Sequence, residues 1–482
     1  MVGELRFLEI HELAAALRAG EVTSVQLTQE YQAAADRLDP ELGTYIARFD
    51  EAALAAAARA DAELAEGRDR GLLHGIPLGV KDIIATEEGP TTAQSLVLDP
   101  GWGPGGDAPV VARLREAGAI VLGKTTTMEF AIGAPDRSKP FPVPKNPWDT
   151  GHWTGGSSSG TGNGVAAGLF PAGLGSDTGG SIRLPAAYNG VSGHKPTYGL
   201  VPKSGVVPLG FTYDHVGPLA RSARDCAVLL DVLAGPDPAD PTTVDAPAWR
   251  RGAGDVAAVD GPGGDGLAVL AGLRVGVARA ATVEGGACEA GVAACFDAAL
   301  GVLAQAGAEL VDVAFPLWDE LHDACFLGLF AEAFAWHRAT LAQRWADYGY
   351  DTRMTIALGG LVSAGDYVQA QRVRSRGQVE VRALLEQVDV VLTPTTGTVA
   401  PAFGERAMGR EQRLRALFSP PFNSLGLPAL SVPMGFDGGL PTGLQIAGAA
   451  FADDLVLRVG AAYQQLTDWH RRLPELSVAP VS

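Results

Sequence analysis

From Leu8 to Glu66 apolar residues recur at helical spacing in an alanine-rich background, with Thr23 or Ser24 as the N-cap of a helix that carries Leu27 and Tyr31. The texture changes at Gly75. Short β-branched runs, Ile76 to Val80, Ala119 to Leu122 and Leu273 to Ala278, then alternate with helical stretches such as Pro109 to Ala117. This alternation predicts an α/β layer architecture. Between Pro135 and Tyr198 the chain turns to Gly, Ser, Thr and Pro, yet Ile182, Leu184, Tyr188 and Val191 are spread through the tract. A polar tract with apolar anchors inside a domain builds a site rather than a linker. The stretch from Arg250 to Gly266 lacks such anchors and reads as an exposed loop. Beyond it, α/β texture continues through Asp389 to Leu392, and an amphipathic helix is predicted near Asp453 to Gln465. The predicted organisation is a helical region over residues 1–70, a catalytic core over 71–245, an exposed Gly/Ala-rich loop over 246–270, and the remainder of the core, with a variable pocket region, over 271–482.

Composition narrows the function classes. The 482 residues carry 37 Lys+Arg against 55 Asp+Glu, a net charge of −18, which repels a phosphate backbone and argues against nucleic acid as a partner. Four cysteines, Cys226, Cys288, Cys295 and Cys325, are too few and too scattered for a disulfide framework, and His322 with Cys325 lacks further ligands for zinc. No apolar run has the length of a signal peptide or a membrane span, so the expectation is a cytoplasmic protein with no membrane partner.

Three motifs are decoys. Gly118 to Thr125 matches the Walker A pattern, but its interior, Ala119 to Leu122, is itself a buried strand and cannot cradle phosphate. Gly156-Ser157-Ser158-Ser159-Gly160 fits the nucleophile-elbow pattern without the strand that should lead into it. Ser192-Gly193-His194-Lys195 has Ser-x-x-Lys spacing without a Lys-Thr-Gly partner.

What remains is three polar residues, each preceded by glycine: Lys81 after Gly79-Val80, Ser157 after Gly155-Gly156, and Ser181 after Gly179-Gly180. Glycine lets main chain approach a substrate and turn N–H groups toward a developing oxyanion. A serine nucleophile needs a base, and His74, His194 and His215 each read as loop or core hydrogen-bonders. Lysine serves where desolvation lowers its pKa, and Lys81 lies between Ile76-Pro77-Leu78-Gly79-Val80 and Ile83-Ile84. A structural ion pair with Asp82 is the rival reading, and residue arithmetic leaves the two level.

These residues resemble the amidase signature family. The resemblance rests on Gly75 to Asp82, Asn146-Pro147-Trp148-Asp149, Gly155 to Gly160 and Gly175 to Arg183, and resumes at Asp389 to Thr395, Asn423 to Ala429 and Leu440 to Gln445. It implies a single large α/β domain, a mixed sheet with helices on both sides. It implies that Ser181 attacks an amide carbonyl, that Ser157, in a cis peptide, relays the proton, and that Lys81 is the base. Thr178, Gly179, Gly180 and Ser181 would then form the oxyanion hole, with Asp177 and Arg183 in support and Ser158 a weaker catalytic candidate. Ser159 stands where the family usually has glycine, which affects the loop's shape. The resemblance implies a small-molecule amide and water as partners, no cofactor and no metal, and leaves a homo-oligomer open. Phe326, Phe330 and Phe334, at i, i+4 and i+8 in the variable region, read more readily as core than as pocket lining. An apolar or aromatic amide is the expected substrate. Carbamate or ester cleavage, a glutaminase of the kind that serves tRNA-linked transamidation, and an inactive acidic scaffold are the alternatives.

Overall fold

The computed structural model describes residues 2–246, 270–404 and 414–476. The predicted loop at 246–270 falls, apart from its two end residues, outside the described residues. Eleven strands form one mixed sheet: β1 (Tyr45–Arg48), β2 (Pro77–Lys81), β3 (Ile120–Thr125), β4 (Ala172–Asp177), β5 (Ser192–Lys195), β6 (His215–Ala220), β7 (Arg274–Val277), β8 (Glu309–Asp312), β9 (Val390–Pro394), β10 (Ala429–Asp437) and β11 (Leu440–Gly448). Their order is β1-β3-β2-β4-β6-β5-β10-β11-β9-β7-β8, with helices packed on both sides. The predicted α/β domain with a mixed sheet is the observed one.

Two halves of the chain meet at the centre. Strands from residues before 221 occupy one side, those after 273 the other, and the seam is the antiparallel pair β5–β10, with Lys195 opposite Ala429 and His194 opposite Leu430. Parallel pairing of β2 with β3 and with β4 aligns three carboxyl ends at one edge, where open α/β sheets leave a crevice.

The helical reading of Leu8 to Glu66 needs one correction, because Tyr45–Arg48 form β1, antiparallel to β3. Around it the pattern holds. Thr23 caps the helix Ser24–Leu42 in a reciprocal box with Gln26, and Tyr31 and Leu27 are fully buried. The C-terminal amphipathic helix spans Asp453–Gln465. Lys124, the lysine of the Walker-like stretch, lies inside β3 and is buried, so no phosphate loop exists there. The helix Ser159–Ala166 is poor in helix formers and forms because every one of its residues is buried. Its glycines are obligatory for packing: a Cβ at Gly160 would collide with the Thr44 carbonyl, and one at Gly164 with the Phe170 ring.

Candidate active site

Lys81 ends β2, one step beyond the Val80–Leu174 pair, so its side chain emerges beside the carboxyl end of β4. It is fully buried, and its ammonium position is ringed by hydroxyls: Ser157 Oγ at 2.7 Å, Ser176 Oγ at 2.8 Å and Ser158 Oγ at 3.2 Å. Among the described residues no carboxylate pairs with it. The rival ion pair is excluded because Asp82 turns to Lys124 instead, at 3.6 Å, and accepts from Thr92 and Gln94. Burial pulls the Lys81 pKa down to about 7, against the opposing pull of Asp177 and Asp214.

The Gly156–Ser157 peptide is cis. Ser157 is 1% exposed, and its carbonyl accepts from Met128 N–H at 3.2 Å. Next to it, Ser158 N–H donates to the main-chain oxygen of Ser181 at 3.1 Å, which ties the two glycine-rich segments together. Ser158 Oγ is occupied by the Ser176 carbonyl and N–H, both at 3.2 Å, and Ser159 Oγ donates to Gly155 O at 2.7 Å. These two serines hold the loop. Ser181 lies just before the helix Arg183–Asn189, is only half-buried, and its hydroxyl makes no hydrogen bond among the described residues.

The N–H cradle before Ser181 differs in one member from the expectation. Gly180 N–H donates to Asp177 Oδ1 at 2.8 Å, so it is already committed, while the N–H groups of Thr178, Gly179 and Ser181 carry no acceptor among the described residues. Nor do the glycines serve chiefly to admit substrate. Gly180 has φ +130° and abuts Ser419 Oγ, Gly79 packs under the Phe170 ring, and Gly156 faces Met128. They let the protein close on itself.

Beneath the cradle is a buried polar cluster. Asp177 accepts from Arg183 Nε at 3.0 Å and Nη2 at 2.9 Å, from Asn423 Nδ2 at 2.8 Å and from Ile182 N–H at 3.1 Å. Burial alone would raise its pKa, but the Arg183 guanidinium prevails and holds the carboxyl well below the usual carboxylate range. Arg183, itself fully buried, spends its other protons on Ser419 O at 3.0 Å, Gln445 Oε1 at 2.7 Å and Asn423 Oδ1 at 2.6 Å. The separate C-terminal motifs of the sequence thus converge on one guanidinium. Arg183→Met would strand these partners in the dry interior and is expected to cost about 3–5 kcal/mol. Urea unfolding checks this, and an unshifted midpoint would contradict it.

The three histidines considered as bases are all held in place. His74 faces Glu63 at 3.2 Å, His194 faces Asp453 at 3.1 Å, and His215 directs Nδ1 to the carbonyls of Tyr213 at 2.7 Å and Asp177 at 3.1 Å. Residue reading missed Ser176, the third hydroxyl on Lys81. Its only signal was its place directly before Asp177, and the glycines of β4 hide the strand alternation. Asn423 and Gln445 were visible as motifs without a role. Phe326, Phe330 and Phe334 are half-buried against the edge of the main core. A cavity of about 220 Å³ touches Ser176 and Thr178 but neither Ser157 nor Ser181.

Comparison with known proteins decides the family. The family model described as Amidase matches residues 26–457. The chain belongs to the amidase family. It is an enzyme of that family, whose reaction is at carbon–nitrogen amide bonds. This amidase is 39% identical to the A subunit of glutamyl-tRNA(Gln) amidotransferase from Chloroflexus aggregans, over 99% of this chain and 100% of that one. It is 38% identical to the putative amidase AmiD of Mycobacterium bovis, over 97% and 96% of the two chains. The solved peptide amidase of Stenotrophomonas maltophilia superposes with a TM-score of 0.80 at 31% identity, covering 97% of this chain and 98% of the other. Among the described residues of this amidase no helix is long and apolar enough to cross a membrane.

Proposed function

We propose that this amidase hydrolyses amides through an acyl-enzyme on Ser181, with Ser157 and Lys81 as a proton relay. The observation that carries the reading is a fully buried lysine with no carboxylate partner among the described residues, hydrogen-bonded at 2.7 Å to Ser157. A lysine in that setting can rest as a neutral amine and act as a base.

Ser181 Oγ attacks the carbonyl carbon, its proton passes to Ser157 Oγ, and the Ser157 proton passes to Lys81 Nζ. N–H groups of Thr178, Gly179 and Ser181 face the oxyanion. The proton returns from Lys81 through Ser157 to the leaving nitrogen as the C–N bond breaks. Water then attacks the Ser181 ester by the same relay, releasing acid and restoring the neutral amine. Asp177 and Arg183 shape the cradle and exchange no proton. Near the cradle, Leu329 Cδ2 and Cys325 Sγ both lie 3.8 Å from where a Gly179 side chain would begin. The substrate class we propose is an apolar or aromatic amide, with ester and carbamate cleavage open to the same relay.

A second reading, release of ammonia from glutamine within an amidotransferase complex, is favoured by the full-length match to the glutamyl-tRNA(Gln) amidotransferase relative. A panel of anilides, aliphatic amides, peptide amides, carbamates and glutamine separates them. Turnover of aryl amides by the isolated chain supports the first, whereas glutamine hydrolysis alone supports the second. A serine-directed fluorophosphonate should label Ser181; labelling confined to Ser157 would reverse the two serines' roles.

A further inference from the structure

A second fully buried lysine lies under the same loop. Lys195 ends β5, and its amine has three neighbours: Pro196 O at 3.0 Å, the Leu427 carbonyl, and His215 Nε2 at 3.3 Å. The contrast with Lys81 is chemical. Hydroxyls can donate as well as accept, so the ring of serines around Lys81 tolerates a neutral amine. Around Lys195 two neighbours are carbonyls, which only accept. The third is forced to accept as well, because His215 Nδ1 faces two carbonyls, Tyr213 O at 2.7 Å and Asp177 O at 3.1 Å, and must carry the ring proton there. Three acceptors converge on one nitrogen, and only an ammonium has three protons to give.

We propose that Lys195 is a positioning residue that has to remain charged during turnover, because through His215 it holds the carbonyl of Asp177 and with it the N–H cradle that precedes Ser181. A neutral Lys195 offers two protons to three acceptors. His215 could then satisfy it by moving its proton from Nδ1 to Nε2, which releases the Tyr213 carbonyl and leaves the Asp177 carbonyl to Asn423 Nδ2 alone, at 3.2 Å. The site therefore needs its two buried lysines in opposite states, Lys81 neutral and Lys195 charged. The assignment of Lys81 rests on the relay described above, whereas that of Lys195 rests on hydrogen-bond parity alone.

The groups facing Lys195 are Arg183 from the helix after Ser181, Asp177 from β4, Asp453 from the C-terminal helix, Cys325 from the helix Trp318–Arg344 and His215 from β6. Burial and Arg183 lower its pKa to about 7, with Asp177 and Asp453 opposing. Both amines are drawn to about 7, so the pair with Lys81 neutral and Lys195 charged is populated only near that pH, and activity should pass through a maximum there.

Two measurements on the full chain test this. The first is neutron diffraction from crystals held slightly below neutral pH, which should place three deuterons on Lys195 Nζ and one on His215 Nδ1; a deuteron on His215 Nε2 would overturn the proposal. The second is kcat and KM for an aryl amide such as p-nitroacetanilide, against pH, in the unaltered enzyme and in Lys195→Met. The variant should lose kcat by about tenfold to a hundredfold with little change in KM. Its descending limb should disappear while the ascending limb stays. A descending limb that survives the substitution would also overturn the proposal. Should Lys195→Met fail to fold, the pH profile of Lys195→Arg decides with the neutron result: a guanidinium stays charged, so the descending limb should vanish there too, and its survival would overturn the proposal. Failure of the relay would appear instead as activity in Ser181→Ala, which leaves the state of Lys195 untouched.

Discussion

Ser181→Ala is expected to reduce kcat/KM for any amide substrate by about 10⁴-fold or more, because it removes the atom that forms the acyl bond while the relay stays in place. The side chain is half-buried and makes no hydrogen bond among the described residues, so its loss should leave the thermal midpoint close to that of the unaltered enzyme. Steady-state hydrolysis together with a melting curve checks both halves. Near-normal turnover would remove Ser181 as the nucleophile, and an unfolded variant would contradict the peripheral setting of its hydroxyl. The contrast with Arg183→Met is diagnostic, since that substitution should destabilise the whole chain.

Lys81→Met should be nearly inactive and yet more stable. Activity falls by about 10³-fold, in the range of losing a general base. In the unaltered enzyme the ascending limb of the pH profile should lie near 7, where the buried amine gives up its proton, with the descending limb assigned to Lys195. The sign for stability follows from the same shift. The folded pKa lies below the unfolded value of 10.5, so the unfolded chain binds more protons between the two. The penalty for burying the amine is therefore full below about pH 7 and fades as pH rises toward 10.5. Methionine carries no such penalty, and the variant should gain of order a few kcal/mol at pH 7, less what three serine hydroxyls lose with their partner. Differential scanning calorimetry at pH 7 and pH 10 measures it. A gain that grows with pH would reverse the assignment.

Much of the fold could be read from particular segments. Ile76 to Val80 and Asp389 to Leu392 announce strands by β-branched runs, and Thr23 with Gln26 announces a helix start. The strand that matters most was not readable. β4, Ala-Gly-Leu-Gly-Ser-Asp, has little strand propensity and forms because Gly173 and Gly175 let it pack against β2 and against Ser158. β1 was hidden in the same way, a four-residue edge strand inside an alanine-rich helical stretch. At the site, Lys81 and both serines are marked by the glycines before them, but the choice between base and ion pair needed the third dimension, because only there does Asp82 meet Lys124. Gly180 shows the converse, since nothing along the chain reveals that Asp177 already holds its N–H.

The guanidinium of Arg183 joins residues 177 and 183 to residues 419, 423 and 445. A ribosome will have made both serines and the lysine long before it reaches Gln445, so during synthesis the emerging polypeptide holds the three groups of the proposed relay without this clasp. On the proposed relay, competence to cleave would therefore come late in synthesis, and a product terminated before Gln445 would lack one of the partners that hold Arg183.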